Sequence, residues 1–169
     1  MKHVFLDAPA NTSEAAAAYR GFFKKGDEPA IAMTPVDWIP NDSRVLVTCW
    51  AVRDLKSRKV VRPASLDAVT AGLPFAASPA VWAGDTLYLS ALVGRNPADR
   101  TIPVNVGDQV RLMAAGHRAV LEVAGLSFAD IVSGHVYLGT IDDYTPMNAV
   151  YKEFYSAGPG VRTCLMPTS

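Results

Sequence analysis

A chain of 169 residues, 50% hydrophobic and 19% charged, is long enough to bury a core and too apolar to be disordered. Sixteen basic residues balance sixteen acidic ones, and the zero formal charge argues against a global electrostatic pull on nucleic acid or an anionic membrane. The two cysteines, Cys49 and Cys164, come without a CxxC pair or a His-x-His, which argues against a disulfide framework or a structural zinc site.

Residues 1–7 hold too short an apolar stretch for a signal peptide, and no run approaches the ~18 apolar residues of a membrane span. The expectation is a soluble cytoplasmic protein with free thiols, no metal and no membrane or nucleic-acid partner. Residues 3–6 (HVFL) predict a short strand. A helix follows, capped by Thr12 or Ser13, whose hydroxyls accept from the free N–H groups of a first turn, and stopped at Gly26. Tyr19, Phe22 and Phe23 lie on one face of it, at i, i+3 and i+4, and read as core packing. Residues 43–52 (SRVLVTCWAV) predict a strand after the Pro40-Asn41-Asp42 turn. The segment 53–62 has five basic residues, one acidic residue and no interleaved aromatics, and reads as a solvated linker.

Residues 80–82 and 86–92 predict a hairpin around Ala83-Gly84-Asp85, and 94–102 a polar loop. The longest helix falls at 108–124, with Val110, Met113, Val120, Leu121 and Ala124 as its apolar face and Gly125 as its end. His117 near that face reads as structural. A strand at 132–138, a helix between Thr145 and Gly158, and a last strand complete the order. Helices between antiparallel-looking strands, without a regular βαβ rhythm, predict an α+β fold with helices on one face of a sheet.

The chain also carries an internal echo. His3-Val4-Phe5-Leu6 returns as His135-Val136-Tyr137-Leu138, an offset of 132 that also pairs Tyr19 with Tyr151, Phe22 with Phe154 and Gly26 with Gly158. Eight of 35 positions are identical, against about two for random pairing at average residue usage. A duplicated strand–helix unit is the reading. The length is then about 1.3 periods of 132 residues. The first unit would lack its opening hairpin and first helix, and the second its final strand. Either the chain is a piece of a tandem protein, or the strand at 43–52 and a neighbouring chain complete what each unit lacks.

Five segments in register carry a family resemblance. They are Pro74-Phe75 with Ser78-Pro79-Ala80-Val81-Trp82-Ala83-Gly84-Asp85-Thr86-Leu87-Tyr88-Leu89-Ser90; Gln109 with Leu121-Glu122-Val123-Ala124-Gly125-Leu126; Asp130-Ile131-Val132 through Leu138; Met147-Asn148-Ala149-Val150-Tyr151-Lys152-Glu153-Phe154; and Gly160-Val161-Arg162-Thr163-Cys164. Together they resemble the reactive intermediate deaminase family, also called the YjgF, Rid or endoribonuclease L-PSP family. Residues 3–52 resemble the second half of the same domain, with Ile39-Pro40-Asn41-Asp42-Ser43-Arg44-Val45 before its last strand. The domain reading is a partial unit at 1–52, a linker at 53–73 and a second unit at 74–169. The resemblance implies a chorismate-mutase-like α+β fold, assembly as a trimer or pseudo-trimer, and ligand clefts between units. It implies no cofactor. Members with the full site hydrolyse enamine and imine intermediates released by pyridoxal-phosphate enzymes, giving a 2-oxo acid and ammonia; others carry a ribonuclease label.

Carried onto this sequence, the resemblance assigns Arg162 to the substrate carboxylate. A planar, permanently charged fork suits that partner. Cys164 would hold ligand or water through its main chain, since no histidine partner for a thiolate is evident. Asn148, Ser90 and Ala91 would line the pocket, and Phe75 takes the place of its aromatic. The departures bear on function. Ala91 replaces a glycine and the next residue, Leu92, a glutamine. In the ungapped alignment the first copy has Ala30 opposite Arg162 and Ala16 opposite Asn148; by the resemblance, its last strand has Leu46 where a water-positioning glutamate is often found. The expected activity is hydrolytic deamination of small 2-imino or 2-enamino carboxylates, and the alternative is a non-catalytic carboxylate binder or scaffold. The zero net charge and the lack of a pair of histidine bases weigh against ribonuclease chemistry.

Overall fold

The computed structural model describes residues 2–6, 12–67, 77–155 and 160–167, so Phe75 and Gly158 lie outside the described residues. The chain divides into two compact units, Met1–Arg62 with Thr70–Ala91 and Pro63–Val69 with Leu92–Ser169. The class is α+β, as expected.

In the first unit, β1 (Lys2–Leu6), α1 (Thr12–Arg20), β2 (Ile31–Pro35) and β3 (Val45–Cys49) come in succession. Strand β1 lies at the centre of a mixed sheet, parallel to β2 and antiparallel to β3. Side chains alternate across a strand. Val4 and Leu6 therefore point into a core with Ala16 of α1 and Ile31 of β2, against which Tyr19 and Met33 pack. His3 takes the other face and meets the Trp50 ring edge-on at 5.4 Å. A second sheet is antiparallel, β4 (Lys59–Val61), β5 (Ala80–Ala83) and β6 (Thr86–Leu89). A two-residue loop joins β5 to β6, with Gly84 at φ 62, a conformation glycine adopts without steric cost.

Three expectations for this unit are corrected. The segment 53–62 is not simply a linker. Asp54 accepts from the Lys56 N–H and caps a short helical turn at Leu55–Ser57, after which β4 extends the hairpin's sheet. Helix α1 stops at Arg20, well before Gly26, which instead serves a turn closed by the Asp27 N–H donating to Lys24 O. Phe22 thus falls past the helix and is 80% exposed, not part of the core stripe. The strand expected at 43–52 is confined to Val45–Cys49.

The second unit contains α2 (Val106–Val123), β7 (Ser133–Tyr137), α3 (Tyr144–Phe154) and β8 (Val161–Leu165). Asn105 caps α2 by accepting from the Asp108 N–H at 3.2 Å. Gly125, at φ 75, lets the chain turn so that Leu126 N–H donates to Leu121 O, a typical helix stop. Val110 of α2 packs with Leu138 and with Met147 and Val150 of α3, and Cys164 packs against this group. The helix caps differ from expectation: Thr145 lies inside the first turn of α3, and Thr140 caps the preceding turn by accepting from the Asp142 N–H. At Gly116 of α2 an added Cβ would come within 2.6 Å of Leu92. Leu92 thus seats its side chain on that glycine.

Both units contain a parallel strand–helix–strand, β1-α1-β2 and β7-α3-β8. Their registers correct one alignment. Lys2 faces Ile31, whereas Gly134, 132 positions after Lys2, faces Arg162. The strand position of Arg162 is therefore matched by Ile31, a core residue, and not by Ala30.

Candidate functional site

Arg162 occupies the second position of β8. In a parallel ladder alternate residues bond to the neighbour. Here Val161 N–H donates to Val132 O at 3.0 Å and Leu138 N–H to Leu165 O at 2.9 Å. Residues 161, 163 and 165 thus face β7 with their main-chain groups, leaving the N–H and C=O of Arg162 and Cys164 on the outer edge of β8. The close approach that starts this strand needs a glycine. A Cβ at Gly160 would lie 2.4 Å from the Val132 carbonyl carbon.

The side chains of Arg162 and Cys164 point toward α3. The Cys164 side chain is half-buried against the apolar core. The Arg162 guanidinium lies 4.5 Å from the centroid of the Tyr151 ring, within range of a cation–π contact. Tyr151 stacks on Tyr155 with centroids 3.9 Å apart and planes 6° from parallel. Phe128 meets Tyr155 edge-on at 4.8 Å and lies tilted to Phe154 at 5.9 Å, and Arg118 of α2 lies over both Phe128 and Phe154. Burial pushes the Tyr151 phenol up, opposed by the positive charge of Arg162 and its hydrogen bond. Burial, then repulsion from Tyr151, pushes Tyr155 up strongly. Both rings are neutral phenols at neutral pH.

Among the described residues no carboxylate pairs with Arg162, whereas Arg58 pairs with Asp27, Arg62 with Glu28 and Arg111 with both Asp108 and Glu153. Asn148, half-buried, lies three residues before Tyr151, which sets the two on one face of α3. The sequence marks Tyr151 only as part of a core stripe. Its spacing from Asn148 is the signal that groups it with the site.

Ser90 and Ala91 belong to the first unit. The Ser90 hydroxyl accepts from Ile31 N–H at 2.9 Å and donates to Ser78 O at 2.7 Å, and Ala91 N–H donates to Ile31 O at 3.0 Å. The hairpin end is thus joined to the strand that has isoleucine at the arginine's register. Arg162, Cys164 and Asn148 lie together in the second unit, and Ser90 and Ala91 in the first.

The sequence profile described as endoribonuclease L-PSP matches residues 67–166, more than half of the chain. The chain belongs to that family, the Rid or YjgF group. Among curated proteins it is similar to TdcF of Escherichia coli (strain K12), a reactive intermediate deaminase by name, with 33% identity over 72 residues, 43% of this chain and 56% of that one. It is 30% identical over 92 residues to the 2-iminobutanoate/2-iminopropanoate deaminase of Bos taurus, 52% of this chain and 67% of that one. The chain thus spans little more than half the length of TdcF. The crystal structure of the Escherichia coli YjgF gene product aligns with a TM-score of 0.55 at 23% identity, over 64% of this chain and 84% of that one, which shows the Rid-family fold. Among the described residues no group of three or more His, Cys, Asp or Glu could hold a metal ion, and no helix is long and apolar enough to cross a membrane.

Proposed function

We infer that this Rid-family protein takes small carboxylates bearing a 2-imine or 2-enamine and hydrolyses them to a 2-oxo acid and ammonia. The observation that carries this reading is Arg162: a guanidinium oriented on Tyr151, with neither a carboxylate partner nor a second strand paired to β8 among the described residues. Its fork pairs with the substrate carboxylate, and the outer-edge main chain of Cys164 orients a water toward the imine carbon. Water adds across C=N, the carbinolamine expels ammonia, and the 2-oxo acid remains. An enamine first takes a proton at carbon to reach the imine. The single acidic residue of α3, Glu153, is paired with Arg111 at 3.2 Å, so the reading assigns no carboxylate base from that helix. General-base help is typically worth ~10²–10⁴-fold, and turnover is expected to be slow for that reason.

The test is ammonia release from enzymatically generated 2-aminoacrylate. Arg162→Ala is expected to lower kcat/KM by about ten- to a hundredfold, the loss of one or two charge-assisted hydrogen bonds. Arg162→Lys recovers only part of it, because an ammonium cannot fork. Substantial release unchanged in Arg162→Ala overturns the assignment. The binding-only alternative draws on Ile31, which replaces the arginine in the first unit, and on the Ser90 hydroxyl, which is engaged by the main chain. Capture of 2-oxobutyrate without ammonia release supports that alternative.

A further inference from the structure

The geometry points to Tyr151 as the residue that positions Arg162 for its carboxylate, through a stack of aromatic rings spanning α3 and the turn after α2. This rests on the reading of Arg162 as the anchor. A free arginine side chain explores many rotamers, and fixing it costs entropy when a ligand arrives. Here that ordering is done in advance by the Tyr151 ring, 4.5 Å from the guanidinium carbon. The guanidinium lies over the ring and hydrogen-bonds the Tyr151 phenol, and its remaining N–H donors are left for a planar carboxylate.

The ring is itself fixed. Tyr155, one helical turn on, stacks on it almost face to face at 3.9 Å. Phe128 closes on Tyr155 edge-on at 4.8 Å. Phe128 sits on the short turn Phe128–Asp130, which is held by a reciprocal cap: Asp130 accepts from the Ser127 N–H at 2.8 Å and Ser127 from the Ala129 N–H at 3.3 Å. Arg118 covers Phe128 and Phe154 at the far end, 5.8 and 5.7 Å from their centroids. Two guanidiniums therefore bracket one aromatic cluster. The outer one, Arg118, supports the stack and the other, Arg162, is presented by it.

The experiment is 2-oxobutyrate binding by calorimetry on the full chain, with Arg162→Ala, Tyr151→Leu and Tyr151→Phe, alongside NMR of the arginine side-chain signals. Wild type is expected to show upfield, ring-shielded Arg162 signals. Tyr151→Leu is expected to lose that shielding and to bind about three- to thirtyfold more weakly with its far-ultraviolet dichroism unchanged. Tyr151→Phe keeps the ring and most of the binding. Loss in Arg162→Ala with full binding and a normal fold in Tyr151→Leu overturns the positioning role and leaves the anchor standing. Unchanged binding in Arg162→Ala overturns the anchor itself. Unshielded Arg162 signals in the wild type overturn the stack whether or not Tyr151→Leu folds.

Discussion

At the level of single residues, chemistry depends on what each group is already bonded to. Arg58, Arg62 and Arg111 are as plausible in sequence as Arg162, and each is paired with a carboxylate. Ser90 shows the converse. The family resemblance marks it as a ligand group, whereas its hydroxyl links Ile31 N–H to Ser78 O inside a buried site. Removing that hydroxyl leaves the Ile31 N–H without this acceptor, so Ser90→Ala is expected to destabilise the protein by about 1–3 kcal/mol, measured by urea denaturation. Gly160 is legible in the sequence only as part of a motif. The structure adds the reason: a methyl group there would strike the backbone at 131–132. Gly160→Ala is expected to push β8 away from β7 and weaken carboxylate binding without touching Arg162, read as lost amide protection at Val161 and Thr163.

For whole elements, periodicity predicts more than boundaries. Helix α2 and its glycine stop are legible because capping and φ requirements are local. The early end of α1 and the extra strand β4 are not, because nothing within 53–62 announces that β5 waits to pair with it. Tertiary pairing overrides a charge-rich composition there. The turn carrying Phe128 gives a pH prediction. The Asp130 carboxyl is held below its ordinary 3.8 by the Ser127 N–H and then the Ser127 hydroxyl. A depressed carboxylate contributes stability that is present above 3.8 and is lost as pH falls through its lower folded value. Acidification below pH 3.8 should therefore loosen this turn, seen as faster exchange at Ala129 and Ser127. Asp130→Asn should show that loosening already at neutral pH. In the alkaline range burial lifts Tyr19 of α1 to about 12 from 10.0, with Glu28 adding to it. Stability from the neutral phenol holds below pH 10 and falls as pH rises toward 12, which phenolate absorbance reports.

For the molecule as a whole, the α+β class and the family are legible, since five motif segments keep their order over residues 74–169. The grouping of elements into units is less so. A one-dimensional reading joins the hairpin to the long helix after it, while the hydrogen bonds of Ser78, Ser90 and Ala91 join it to β2 and the segment leading into it. Ser90→Ala is therefore expected to speed exchange at Ile31 and across β5–β6, and to leave α2 and α3 protected. Equal loss of protection in both units would contradict the division. The register shift that sets Ile31 at the position of Arg162 is likewise hidden, because the ungapped alignment drifts by one residue between helix and strand.

The central claim is that Arg162 anchors a carboxylate. Titration calorimetry of 2-oxobutyrate and of its uncharged amide against wild type and Arg162→Ala tests it most directly. The wild type should bind the acid and not the amide, and Arg162→Ala should bind neither. Equal affinity of both proteins for the acid would contradict the claim.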